Sequence, residues 1–207
     1  MPTAAPTLTR GHKKKERTRR LLLDTARELF ATEGDSFSVV DLAARAGVSH
    51  GTFYNYFADR DALLDALVPH VVEDFAERMA VQVDEPDPAV RFASISATAL
   101  ATAATAPNAM RMALRMEAVQ LALVEDGPLS HMRDDLRAGH AAGRFSAPPD
   151  DGTVDVVIGA MLLASRRIVD GEHSADYRRS VVRHLLQSLG IEPHEADAIA
   201  AGAVPAA

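Results

Sequence analysis

From Leu22 onward the apolar residues of this 207-residue chain recur at intervals of three and four. No run shows sustained apolar–polar alternation with β-branched enrichment. That period belongs to a helix surface and not to a pleated strand, so each segment carries a stripe to bury against another helix. Glycine and proline punctuate the pattern at intervals that fit helices. An all-α fold of about nine helices is expected, without strands.

Composition narrows the class. Hydrophobic residues at 47% and charged residues at 25% exclude wholesale disorder. The absence of cysteine excludes disulfides, thiolate metal sites, iron–sulfur clusters and a cysteine nucleophile. No stretch approaches the roughly 18 to 20 apolar residues of a membrane span, and no apolar signal core opens the chain. A soluble, cytoplasmic protein with no membrane partner is expected. The net charge of -7 is unevenly spread: nine basic residues face six acidic ones through Ala58, and thirteen face twenty-three beyond it. Lys13, Lys14 and Lys15 are consecutive and are flanked by Arg10, Arg17, Arg19 and Arg20. A basic end on an acidic body suits a chain that meets a polyanion at one end; a solvated terminus gives the same pattern.

The first helix is expected from about His12 to Thr32, with Leu22, Ala26, Leu29 and Phe30 on one stripe and Gly34 as its stop. Ser38-Val39-Val40-Asp41 reads as a capping-box start, in which the serine oxygen takes a free amide and the aspartate sits in the electropositive first turn. The short helix it opens carries Val39, Leu42, Ala43 and Ala46 on one face. Gly47-Val48-Ser49 breaks and restarts the chain, with glycine for the turn, valine as a plug and serine as the next cap. A third helix, about Ser49 to Phe57, buries Phe53 and Phe57 one turn apart. Glycine at 51, inside its first turn, costs about 1 kcal/mol against alanine. Close approach of the backbone to something outside the chain is one physical reason to keep it. Two short helices joined by a glycine-containing turn, after a basic helix, describe a helix-turn-helix whose second helix is offered to a groove.

These residues carry a resemblance. Leu22-Leu23-Asp24-Thr25-Ala26-Arg27-Glu28-Leu29-Phe30, Val39-Val40-Asp41-Leu42-Ala43, Ala46-Gly47-Val48-Ser49-His50-Gly51-Thr52-Phe53-Tyr54-Asn55-Tyr56-Phe57 and Asp59-Arg60-Asp61-Ala62-Leu63-Leu64 together resemble the N-terminal domain of TetR-family transcriptional repressors. Two departures stand out. The Gly34–Ser38 loop is about one residue shorter than is usual, with its aromatic at Phe37, and Arg60 stands where the family commonly has lysine, which keeps the charge and changes the geometry. The resemblance implies that Ser38, Tyr54, Tyr56 and Arg60 hold phosphates. It implies that His50, Gly51, Thr52 and Asn55 approach base edges; Ser49, the cap at the helix start, is counted with the DNA-binding residues. Chemistry agrees, since asparagine pairs bidentately with adenine and threonine meets a thymine methyl. Lys13, Lys14 and Arg17 of the arm would add backbone contacts that release counterions. Packing is the plainer role for Tyr54 and Tyr56.

The rest of the chain has no equally specific motif. A fourth helix is expected from about Asp59 to Val83, a fifth from Pro88 to Ala106, a sixth from Pro107 through Val124, and a seventh from Gly127-Pro128 to about Phe145. An eighth, about Thr153 to Val169, is apolar around most of its circumference, and a ninth, about Ala175 to Leu189, carries one apolar stripe. The division reads as 1–58, a basic arm and helix-turn-helix; 59–191, a ligand-binding and dimerisation domain; and 192–207, a loose alanine-rich tail. The resemblance implies a small-molecule pocket within the fifth to seventh helices and pairing of the last two with a second subunit. Phe92, Thr98, Met112, Arg115, Met116 and Met132 are the pocket candidates, methionine being adaptable, although core packing is the plainer role for each methionine. Val157, Met161, Leu185 and Leu189 are the candidates for the interface. His131 and Asp135 lie one turn apart without a third strong ligand, so no metal and no cofactor is expected.

A sequence-specific DNA-binding regulator follows: a homodimeric repressor on a pseudo-palindromic operator of double-stranded DNA, released by a small molecule. The alternatives are a helical interaction module without DNA binding, and an enzyme. No nucleophile motif, glycine-rich phosphate loop or paired catalytic carboxylates support the enzyme, so no catalytic residue is assigned.

Overall fold

The computed structural model describes residues 10–79, 85–116, 119, 120, 122 and 130–205. These residues form ten α-helices and no strand: α1 Arg10–Glu33, α2 Val39–Ala46, α3 His50–Tyr54, α4 Arg60–Met79, α5 Pro88–Thr105, α6 Pro107–Arg115, α7 Ser130–Ala141, α8 Asp151–Val169, α9 Ala175–Ser188 and α10 Pro193–Ala203. Two compact units divide between Pro69 and His70, inside α4 and past the Ala58/Asp59 boundary read from the sequence. Pro69 brings no amide to the helix ladder, so the division falls where α4 lacks one backbone hydrogen bond.

In the first unit α1 packs on α2 and on the 3₁₀ turn Gly34–Ser36, and α2 packs on α3. The stripe expected on α1 is the buried one: Leu22, Ala26, Leu29 and Phe30 lie in the core with Leu42, Phe53, Phe57, Leu63 and Leu67. Full burial of each leucine or phenylalanine contributes about 1.5–3 kcal/mol, enough to hold so short a helix as α3 in place.

The second unit is built around α5, which touches α6, α7, α8, α9 and α10. Its alanines, serines and threonines let five helices approach closely, and Ala89, Phe92, Ala93, Ser96, Ala99, Leu100, Thr102 and Ala103 are buried. The hydroxyls of Ser94, Thr98 and Thr102 donate to carbonyls one turn earlier, each at 2.9 Å, which satisfies them within the helix.

Three expectations change. The sixth helix stops at Arg115 instead of running through Val124, because Met116 is extended (φ -101°, ψ 107°) and the Gln120 side chain donates from Nε2 to the Leu114 carbonyl at 3.0 Å. The beginning of the expected seventh helix and the end of the fourth lie outside the described residues. The seventh ends at Ala141, where Gly143 (φ 68°) reverses the chain and the Arg144 amide closes on the Gly139 carbonyl at 2.8 Å. Phe145 then folds back onto Gly139, whose missing side chain makes the room.

The tail is the third correction. Residues 193–203 form α10, with Ala196, Ala200 and Val204 buried and the helix packed on α9 and α5. Alanine is the best helix former and, being small, the best residue for close packing; its abundance was the wrong sign of looseness. Arginines fasten α10. Arg144 pairs with Glu195 at 2.7 Å and with both carboxylate oxygens of Asp87 at 2.9 and 3.0 Å, Arg183 pairs with Asp197 at 3.3 Å, and Arg179 donates to the Val204 carbonyl. The hydrogen bond from Arg144 holds the Asp87 carboxyl below the usual aspartate range.

Candidate nucleic-acid interface

The helix-turn-helix is assembled from local hydrogen bonds that the sequence specifies. The Asp41 amide donates to Ser38 Oγ at 3.2 Å, while the Ser38 amide and hydroxyl donate to Asp41 Oδ2 at 2.9 and 2.6 Å, a complete capping box. Those bonds, the one from the hydroxyl foremost, lower the Asp41 pKa from its ordinary value. At the other end of α2, Gly47 takes φ 67° and Val48 N–H reaches the Ala43 carbonyl at 3.0 Å. That left-handed turn sets the angle at which α3 leaves α2. Ser49 caps α3, accepting the Thr52 amide at 3.1 Å, and the Ser49 and Thr52 hydroxyls are joined at 2.7 Å. The Thr52 hydroxyl is thereby engaged within the turn.

Helix α3 is shorter than the expected Ser49–Phe57 segment; beyond Tyr54 the chain continues as a turn in which Phe57 N–H bonds the Phe53 carbonyl at 3.1 Å. Phe53 is buried beneath Phe57, ring centroids 5.8 Å apart, and this pair anchors the helix. The other side faces solvent: His50, Gly51, Tyr54 and Asn55 are exposed, while Thr52 and Tyr56 are half-buried. Tyr54 is 50% exposed and meets the edge of His50 at 5.1 Å, so it is not a core tyrosine. A methyl group built on Gly51 meets no described atom within 4 Å, and its φ is not left-handed. The fold itself does not need glycine there.

Helix α1 begins at Arg10, so the basic run is helical and not a frayed strand of chain. Lys13, Lys14 and Arg17 are exposed on it, as are Lys15 and Arg20. Arg19 behaves differently, with its guanidinium carbon 5.5 Å from the centroid of Phe57. Ser38 and Ser49 are exposed at the N-termini of α2 and α3. Arg60, the first residue of α4, is half-buried with its guanidinium carbon 4.7 Å from the centroid of Phe37. Sequence reasoning missed both stacked arginines, because the contacts join residues far apart in the chain. It also passed over Val40, which is 61% exposed beside the Ser38 cap and lies off the buried stripe of α2.

In the second unit Phe92, Met112 and Met116 are buried, Phe92 against the edge of Phe145 with centroids 6.1 Å apart. Thr98 and Met132 are half-buried, and Arg115 is exposed in the last turn of α6. The interface candidates divide. Met161 is half-buried, but Val157, Leu185 and Leu189 are 1%, 3% and 1% exposed inside their own chain. The outward face of α8 carries other residues: Val156 and Leu163, each 57% exposed, and the exposed Gly159 and Ala160 between them. Among the described residues no helix is long and apolar enough to cross a membrane.

Residues 22–67 match the family model described as bacterial regulatory proteins, tetR family, and residues 87–202 match that of the tetracyclin repressor-like C-terminal domain. Among solved structures, RolR in complex with resorcinol superposes with a TM-score of 0.68 at 27% identity, covering 91% of this chain and 95% of that one. FadR from Bacillus subtilis in complex with stearoyl-CoA superposes with a TM-score of 0.64 at 21% identity, covering 84% and 99%. The fatty acid degradation regulator FadR from Bacillus halodurans gives 0.63 at 19% identity, covering 84% and 95%.

Proposed function

The chain belongs to the TetR family of bacterial transcription regulators, which bind DNA through the N-terminal helix-turn-helix and respond to small molecules, and we propose that it acts as a homodimeric repressor that leaves a pseudo-palindromic operator when its effector binds. The observation that carries this reading is α3: a helix anchored by Phe53 and Phe57 presents His50, Gly51, Tyr54 and Asn55 to solvent. Asn55 reads an adenine edge and the Thr52 methyl meets thymine. Ser38, Tyr54, Tyr56 and Arg60 set the register on phosphates, and Lys13, Lys14 and Arg17 add counterion release along the backbone.

One helix-turn-helix reads only a few base pairs, and a two-fold pair is the usual remedy. The outward face of α8 supports a second copy as that partner. At 1.5 Å rise per residue Val156 and Leu163 are about 10 Å apart along the helix. An antiparallel α8 across a two-fold axis sets Val156 against Leu163 of the partner subunit, with Gly159 and Ala160 at the crossing. Asp155 then comes within about 3 Å, along the axis, of Arg166 of the partner subunit. Asp155 and Arg166 are both exposed, so opposite charges meet on each side of the axis.

The effector enters the second unit, where Phe92, Met110, Met112 and Met116 are buried with the hydroxyls of Ser96 and Thr102. RolR, whose structure holds resorcinol, makes small phenols the first class to screen. Effector binding that displaces α4, the helix that follows the helix-turn-helix, changes the separation of two α3 helices that must sit about 34 Å apart. The coupling is reciprocal: operator weakens the effector by the factor by which effector weakens operator. Calorimetry of resorcinol and simple phenols, with and without saturating operator, tests it. Equal affinities in the two titrations contradict release by that ligand class.

A further inference from the structure

The two departures from the family pattern, the short loop with its aromatic at Phe37 and the arginine at position 60, are one contact. Phe37 is 3% exposed and is held on one side by the edge of Phe30 of α1, centroids 6.4 Å apart. The Arg60 guanidinium carbon lies 4.7 Å from its centroid. The residue after Phe37 is Ser38, whose Cα is one peptide unit away and whose hydroxyl and amide form the capping box of α2. Anchoring the Phe37 ring therefore fixes where Ser38 stands.

A cation in the first turn of a helix sits against the helix dipole, so position 60 is a poor place for one unless something else holds it there. A flat, weakly hydrated guanidinium stacks on a ring face, whereas a compact ammonium prefers water. At Phe37, arginine is the cation that covers the ring face.

We propose that Arg60 is a positioning residue for DNA binding, which acts by clamping Phe37 and so holding the Ser38 cap in register with α3, and that lysine cannot replace it. The proposal rests on the DNA-binding reading above and assigns Arg60 a role that its charge alone does not supply.

The test is a double-mutant cycle in the full-length chain, using DNA recovered from a random pool by the wild type and fluorescence anisotropy across a salt series. Arg60→Lys keeps the charge and Phe37→Leu keeps the buried bulk. Each is expected to weaken binding about fivefold to thirtyfold, and the double variant no further than the weaker single. Arg60→Lys is expected to leave the slope of affinity against salt at its wild-type value, since no phosphate-facing charge is lost. Phe37→Tyr, which restores a ring, recovers most of the affinity lost in Phe37→Leu; melting curves of all variants show that each is folded. Wild-type affinity in Arg60→Lys, or losses that multiply in the double variant, overturns the proposal. A wild type that retains no DNA from the pool contradicts the DNA-binding reading itself.

Discussion

Replacing Gly51 by alanine separates what the fold wants from what the interface wants. The position is exposed within α3, its backbone is not left-handed, and a methyl there meets no described atom within 4 Å. No described residue opposes alanine. The substitution gains helix propensity and removes conformational freedom from the unfolded chain, together about 0.5–1 kcal/mol of added stability. If α3 enters the major groove as proposed, the same methyl stands between the helix backbone and the groove floor. Overpacking of a close contact costs about 1–3 kcal/mol, a loss of about fivefold to more than a hundredfold in affinity for each recognition helix. Urea denaturation and anisotropy on one preparation give the two numbers, and they are expected to move in opposite directions. A more stable variant with wild-type affinity would show that Gly51 is not kept for close approach. A less stable variant would refute the local account of α3.

Two further predictions follow from burial and from hydrogen bonding. Leu163→Arg adds charge to the outward face of α8 and is expected to yield a folded monomer at micromolar concentration in sedimentation, whereas Leu185→Arg, at 3% exposure, puts an unpaired charge in the chain's own core and unfolds it; a folded, dimeric Leu163→Arg would remove α8 from the interface. The Asp41 pKa is lowered in the fold, so the stability it contributes is present above the unfolded value near 4 and is lost as pH falls through the folded one. Asp41→Asn should flatten that acid limb of the urea midpoint below about pH 5, and an unchanged limb would contradict the capping-box account.

The helix-turn-helix was legible because its determinants are local. Ser38 with Asp41, Gly47, and Ser49 with Thr52 each act over three or four residues, so residue types at fixed offsets announce the caps and the turn. Phe53 and Phe57 read correctly as the anchor because the remaining residues of α3 are polar or small. In the second unit the signals are long-range. Helix α8 has valines at 154, 156 and 157, so its periodicity does not say which side meets its own chain; only packing against α5, α6 and α9 turns Val157 in and Val156 out. Leu185 and Leu189 suit an interface by pattern for the same reason, yet both are buried within the chain, where α9 packs on α5, α8 and α10. The α6 break at Met116 depends on the Gln120 side chain, and the order of α10 on arginines at 144, 179 and 183, none of which a local pattern reveals. The stacking of Arg60 on Phe37 joins positions 23 residues apart, and the departures that produce it were visible only singly.

Selection of DNA from a random pool by the wild-type chain and by Asn55→Ala and Tyr54→Phe tests the central claim most directly. The wild type is expected to recover a two-fold symmetric site with half-sites about one helical turn apart. Asn55→Ala should recover a site altered within each half, and Tyr54→Phe the wild-type site at lower affinity throughout, because base contacts carry sequence and phosphate contacts carry position. Recovery of no common sequence by the wild type, or an identical site from Asn55→Ala, would contradict the reading of α3 as the element that reads DNA.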